Sequence, residues 1–208
     1  MNIYPLFSSP LYVNTTTIPS IPTTTYHRSE QDNGWISDNQ QILHDHDDLN
    51  ELIDHHIATY LHTTLQIQQS FHITNSWINK HTKGDYLPPH SHANSLYTGI
   101  LYLKVPPNSG NVLTFSTPPS IIQPTYNETN IYNATTFSIE LTTGTILIFP
   151  SYLEHSAPQS NSSEERLALS FNIFLHGQFG TSTNLLSCLL YTSPSPRDRT
   201  RSRMPSSA

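Results

Sequence analysis

Three short stretches carry side chains that could hold a metal ion and an anion together. The first is Gly84-Asp-Tyr-Leu-Pro-Pro-His90-Ser-His92-Ala-Asn94. In an extended chain, residues two apart lie on one face, so both imidazoles can reach one ion. The second is Phe149-Pro-Ser-Tyr-Leu-Glu-His155, a histidine just past an apolar run. The third is Glu164-Glu165-Arg166, which follows His155 closely enough for a hairpin to bring Arg166 back beside the strand that delivers His155. Imidazoles suit ferrous iron, which in oxygenases takes a facial set of three nitrogen or oxygen ligands and keeps positions open for a co-substrate and O2. A guanidinium is permanently charged and grips a carboxylate through two parallel hydrogen bonds. Arg166, Ala168, Ser170 and Asn172 share one strand face by period two, so Ser170 and Asn172 point inward if Arg166 does. Ala168 is small and leaves room beside the guanidinium. The plain alternatives are a surface turn for His90 and His92, and an ion pair with Glu154 or Glu164 for Arg166.

These side chains need a scaffold that brings distant parts of the chain together. After residue 66 the sequence reads as strands: Ser70 to Asn79, Ser95 to Val105, Asn111 to Ser116, Phe137 to Leu141, Thr145 to Phe149 and Arg166 to Leu175. Turn signals separate them at Lys83-Gly84-Asp85, at Pro106-Pro-Asn-Ser-Gly110 and at Thr143-Gly144. Residues 117–136 carry Pro, Asn and Thr and read as an insertion loop. Before the strands, Leu49, Leu52, Ile53, Ile57, Tyr60 and Leu61 recur at helical steps, which predicts a helix over about 47–65 with Asp47 or Asp48 as its cap. His55, His56 and His62 fall on or near that helix and read as a solvated face. Leu6 to Val13 suggests an edge strand, and the polar stretch 27–46 has a turn at Asn33-Gly34. Many short strands with one flanking N-terminal helix predict a mainly β fold, a two-sheet jelly roll or barrel.

Composition excludes several classes. The chain has 208 residues, 12% of them charged, with a formal charge of −6. An acidic balance lacks the clustered Lys and Arg that meet phosphates, so no nucleic-acid partner is expected. No apolar run is long enough to span a bilayer, so no membrane partner is expected. The start has neither a basic nor an apolar signal region, and one Cys excludes a disulfide framework; a cytoplasmic location is the expectation. Twelve His against nine Lys plus Arg turn attention to imidazole chemistry.

The last stretch stands apart. Cys188-Leu-Leu-Tyr-Thr-Ser-Pro-Ser-Pro-Arg-Asp198 and Ser202-Arg-Met-Pro-Ser-Ser-Ala208 resemble two segments of a translated sequencing adapter, in one frame and in order. Residues 188–208 are therefore expected to be foreign to the protein, leaving a single domain over 1–187. Without Arg197, Arg199, Arg201, Arg203 and Asp198, the chain has five basic and fourteen acidic residues.

The blocks Ser76-Trp77-Ile-Asn79, Lys83 through Ser95, Gly99-Ile-Leu-Tyr102-Leu, and Gly144 through Ser156 with Glu165 through Ile173 resemble the 2-oxoglutarate–Fe(II) oxygenases found in marine bacteria and cyanophages. The opening Tyr4-Pro-Leu-Phe-Ser-Ser-Pro looks like that family's first strand. The resemblance implies a double-stranded β-helix, cupin-like, with its core over about 70–176. It implies Fe(II), 2-oxoglutarate and O2 as cofactor and co-substrates. The activity implied is hydroxylation of a small-molecule or peptidyl substrate, with release of succinate and CO2. The location implied is a cytoplasm, the host's if the gene is a phage's. Carried onto this sequence, His90, His92 and His155 are the metal and catalytic residues, and Arg166, Ser170 and Asn79 face the co-substrate. One departure matters: the wider superfamily places Asp or Glu two residues after the first His, where this chain has His92. Either His92 takes the acid's place, or Asn94 or Asp85 completes the set. A cupin-type isomerase or dioxygenase that does not use 2-oxoglutarate is the main rival, and a non-catalytic jelly-roll binding module the second.

Overall fold

A computed structural model of the chain describes residues 2–4, 8–30, 32–118 and 124–188. It is built from antiparallel strands and one helix. The elements that build the larger compact unit, residues 1–68 and 73–174, are β1 (Tyr12–Thr15), β2 (Tyr26–Arg28), β3 (Trp35–Ser37), α1 (Asp47–Ala58), β4 (Phe71–His81), β5 (Leu87–His90), β6 (Tyr97–Lys104), β7 (Val112–Ser116), β8 (Thr136–Glu140), β9 (Thr145–Pro150), β10 (Glu154–Ala157) and β11 (Arg166–Leu175). Seven of these strands form one sheet in the order β1-β9-β6-β11-β4-β3-β2, and four form a second in the order β5-β10-β7-β8. This is the double-stranded β-helix. A smaller unit comprises residues 69–72 with the chain after 174, where β12 (Gly177–Phe179) pairs antiparallel with β13 (Leu186–Cys188). The expectation for residues 189–208 lies outside the described residues.

Period two decides which side chains fill the core. From the larger sheet, Ile100 and Tyr102 of β6, Leu147 and Phe149 of β9 and Ala168 of β11 point between the sheets. They meet Leu87 of β5, Leu113 and Phe115 of β7 and Ala157 of β10. The alternate residues, Leu101, Ile146, Ile148, Leu169 and Phe171, are fully buried on the sheet's other side. That second apolar face explains the near-continuous hydrophobic runs of β6, β9 and β11. The buried stripe of the helical segment is Leu49, Ile53, Ile57, Tyr60 and Leu61. Tyr60 stands edge-on to Tyr97 of β6 and also meets the ring of Tyr12 on β1.

Gly99 shows how close the packing is. It lies opposite Phe171 in the β6–β11 ladder, and an added Cβ would come within 2.1 Å of that ring. Phe171 is wholly buried and has nowhere to move. Gly99→Ala is expected to cost about 1–3 kcal/mol, the range for overpacking a core, read as a lower urea midpoint.

Several local expectations change. The helix starts at His46 without a side-chain cap; Asp48 instead accepts a bond from the next amide, Leu49. The helical stretch continues to Thr64 in π form. His56 is buried, not solvated, and bonds the Tyr12 hydroxyl at 2.8 Å. β2, β3, β5 and β10 are strands that the alternation in the sequence did not reveal. Among the described residues no helix is long and apolar enough to cross a membrane.

Candidate functional site

The β5–β10 ladder does for the two distant histidine motifs what sequence separation obscures: His90 and His155 are direct cross-strand partners. His92 follows in the turn after β5, where its amide donates to the carbonyl of Ser151. The three rings converge, with centroids 4.3 Å apart for His90–His155, 5.3 Å for His90–His92 and 5.2 Å for His92–His155. One nitrogen from each lies within 4.8 Å of the others. An ion about 2.1 Å from each nitrogen can draw this set together.

The outer nitrogens settle which atoms face the ion. His90 Nδ1 donates to the carbonyl of Pro88 and His155 Nδ1 to that of Leu153, each at 3.0 Å. His92 Nδ1 donates to Asn172 Oδ1 at 2.9 Å. Each bond fixes the proton on Nδ1 and leaves the Nε2 lone pair for a metal. The Nε2 atoms of His92 and His155 are buried and have no hydrogen-bond partner among the described residues. A buried polar atom left unpaired is costly, and a metal ligand accounts for that cost. Asn172 is itself held by Thr98, whose hydroxyl lies 2.8 Å from that of Ser151. His92 thus rests on a chain of hydrogen bonds that ties β11 to β6. Trp77 stacks on its other side, with centroids 5.7 Å apart.

Burial, reinforced by the neighbouring His90, pushes the pKa of His155 down to about 3 and that of His92 down to about 4. Burial also takes His81 to about 4, with the charge of Arg166 adding to the effect. All three are neutral at pH 7, and for His92 and His155 that is the form a metal needs. Folded values below the ordinary 6.5 mean that the unfolded chain binds protons first as pH falls. Stability of the metal-free protein is therefore full above about pH 6.5 and is lost towards pH 4. The slope approaches about 1.4 kcal/mol per pH unit for each histidine. Thermal denaturation in chelator should give a clearly lower midpoint at pH 5 than at pH 7.5; equal midpoints would contradict the buried neutral imidazoles.

A cavity of about 360 Å³ opens onto the three histidines. Arg166 lines it and is buried. Its Nη1 donates to the carbonyls of Gly110, at 2.7 Å, and Ser109, at 3.1 Å. Among the described residues no carboxylate pairs with it: Glu164 faces Lys104 at 3.7 Å, and Glu154 accepts from Ser116. A buried guanidinium without an acid is a strong attractor for an anion. Burial lowers its pKa, an effect that Tyr102 opposes. Ser170 and Asn79 also line the cavity and bond each other at 3.1 Å, and Asn79 accepts from the indole of Trp77.

The route to this arrangement differs from the expected hairpin. His155 and Arg166 lie in opposite sheets, so the intervening, largely exposed segment passes from one sheet to the other instead of turning back along one edge. The other candidate ligands fall away. Asp85 is buried but engaged by Arg28 at 2.7 Å and by Thr82; Asn94 is exposed, in a turn at φ +57°. The described part of 117–136 contributes nothing to the cavity wall, whereas Ser29, Asp32, Ile36 and Gln40, ahead of the helix, do. Tyr102 and Trp77 line it; Tyr97 does not. His81 and Asp32 were missed. His81 shares the face of Trp77 and Asn79 by period two, a signal that was available; nothing in the sequence marks Asp32.

Solved structures of similar fold include a 2OG-Fe(II) oxygenase family oxidoreductase from Burkholderia pseudomallei (13% identity, TM-score 0.53, covering 73% of this chain and 72% of that one). HygX from Streptomyces hygroscopicus, with nickel and 2-oxoglutarate bound, gives 10% identity and a TM-score of 0.52 over 72% and 73%. A Pseudomonas putida prolyl-4-hydroxylase gives 15% and 0.50 over 73% and 78%. At these identities the likeness is one of fold. No curated protein sequence matches the chain. A family match is nonetheless found: residues 75–172 fit the family described as "Putative 2OG-Fe(II) oxygenase". The matched segment holds His90, His92, His155 and Arg166.

Proposed function

We propose that the chain is an Fe(II)- and 2-oxoglutarate-dependent hydroxylase in which Nε2 of His90, His92 and His155 hold the metal. The observation that carries this reading is the pairing of three converging, outward-anchored imidazoles with a buried, acid-free guanidinium in the same cavity. Iron held there supplies O2 activation coupled to decarboxylation of 2-oxoglutarate; a substrate C–H becomes C–OH, with succinate and CO2 as the other products. Everything else is the work of side chains. Asn172 keeps His92 in its ligand tautomer, and the carbonyls of Pro88 and Leu153 do the same for His90 and His155. Arg166 binds the distal carboxylate of 2-oxoglutarate, away from the metal. His81, kept neutral by burial and by the charge of Arg166, lines the cavity near the guanidinium. Ala168 leaves space for the carbon chain, and Ser170 with Asn79 forms the polar wall. Three neutral imidazoles bring no negative charge to the metal, one unit less than a set with a carboxylate. The substrate is a small molecule or a peptidyl side chain.

The test is succinate formation from 2-oxoglutarate without added substrate, with and without iron. Slow, iron-dependent release of succinate supports the reading. Succinate at background, with iron demonstrably bound, would instead favour a metal-binding jelly roll that does not use 2-oxoglutarate.

A further inference from the structure

Besides the three converging imidazoles and Arg166, the described residues that line the cavity include one carboxylate, Asp32. It lies between β2 and β3, where the described residues are tied by several hydrogen bonds. Ser29 N donates to the carbonyl of Gly34, and Asp32 N to the hydroxyl of Ser29, each at 3.0 Å. Tyr86 N donates to the carbonyl of Asn33 at 3.0 Å. Arg28 reaches from β2 to the buried Asp85 at 2.7 Å and to Asn33 Oδ1. The turn is thereby pinned to the segment between β4 and β5, and Asp32 is presented to the cavity from a fixed position.

The carboxylate itself has no hydrogen bond or ion pair among the described residues. Arg28, the nearest cation in sequence, is committed to Asp85 and Asn33. Asp32 is partly buried, and burial pushes its pKa up, an effect that His90 partly offsets. A partly buried carboxylate without a partner is costly unless a ligand completes it. The anionic co-substrate already has Arg166 and the metal for its two ends. What remains unmatched in the cavity is a carboxylate on the His90 side.

We propose that Asp32 is the specificity residue of the substrate side, selecting molecules that carry a cationic nitrogen, a primary ammonium or a guanidinium. The proposal rests on reading the cavity as the metal and co-substrate site. It assigns the substrate class within that reading. The cation pairs with Asp32 and so holds the neighbouring carbon chain over the open face of the three histidines.

The test uses the full chain loaded with Ni(II), with and without 2-oxoglutarate. Calorimetric titrations compare n-butylammonium and n-butylguanidinium with n-butanol and butyrate. The cations are expected to bind at least about tenfold more tightly than the alcohol, the scale of one charge-assisted contact. Asp32→Asn should erase that preference and Asp32→Glu should keep it. Three outcomes overturn the proposal: no measurable binding of either cation, equal binding of cation and alcohol, or a preference that survives Asp32→Asn. A fourth does so too: if Asp32→Asn loses the Ni(II) isotherm, the carboxylate serves the metal. Failure of the cofactor reading is seen separately, as the absence of a 2-oxoglutarate isotherm in the unaltered protein.

Discussion

Replacing His155 with alanine should abolish iron-dependent succinate formation, lowering the rate by about a thousandfold or more. His155 is fully buried, is the cross-strand partner of His90, and is held neutral by burial, its pKa pushed down to about 3. On the proposed reading its loss takes one of three ligand nitrogens and leaves the imidazoles of His90, at the end of β5, and His92, just after it. A bound metal contributes several kcal/mol to the reaction barrier, and each 1.4 kcal/mol is tenfold in rate. The same substitution also leaves a cavity against Phe115 and Phe149, whose rings lie 6.0 and 4.9 Å from that of His155. His155→Gln preserves most of the volume and separates the two effects. It should restore the thermal midpoint and not the turnover. Recovery of turnover in His155→Gln, or its survival in His155→Ala, would remove His155 from the metal.

Arg166→Met should raise the KM for 2-oxoglutarate by about a hundredfold, with a smaller fall in kcat. A charge-assisted hydrogen bond to a carboxylate contributes roughly 1.5–3 kcal/mol, and the guanidinium offers two in parallel. Arg166 lies at the far end of the co-substrate from the metal in the proposed pose, so the loss falls on binding more than on chemistry. Arg166→Lys should recover part of the affinity through charge alone. The stability result is the more diagnostic one. In the absence of co-substrate, Arg166 is a buried cation bonded, among the described residues, only to the carbonyls of Ser109 and Gly110. Replacing such a charge with an apolar side chain is often neutral or stabilising. The thermal midpoint of co-substrate-free Arg166→Met should therefore equal or exceed that of the parent. A large fall in the midpoint with KM unchanged would make Arg166 a structural residue and end the clamp assignment.

Much of this site was legible in the residues themselves. His90 and His92 announced themselves by their spacing, and Arg166 by its place at the head of a ten-residue strand whose inward positions are small or polar. The strands that failed to show were those whose ladders depend on partners and not on their own alternation. β5 begins Leu87-Pro88-Pro89, a sequence that reads as a turn, and is a strand because β10 pairs with it at its two ends. β10 has only four residues, too few for a period to show. The crossing of the chain between sheets after His155 was likewise hidden, because a short loop can turn back or cross with the same composition. Asn172 was visible as an inward residue of β11, but its bond to His92 depends on the pairing of β11 with β6 and on the turn after β5. His81 could have been read from the face it shares with Trp77 and Asn79. Asp32 could not, since a carboxylate in a polar turn is ordinary until the turn is seen to roof a cavity.

The central claim is that three imidazoles, and no carboxylate, surround one ion. Anomalous diffraction at the iron edge, from crystals grown without oxygen with Fe(II) and 2-oxoglutarate, tests it most directly. One peak about 2.1 Å from Nε2 of His90, His92 and His155, with a carboxylate of 2-oxoglutarate on Arg166, is the predicted result. A peak elsewhere, or one ligated by Asp32, Asp85 or Asn94 in place of any of the three histidines, would contradict it.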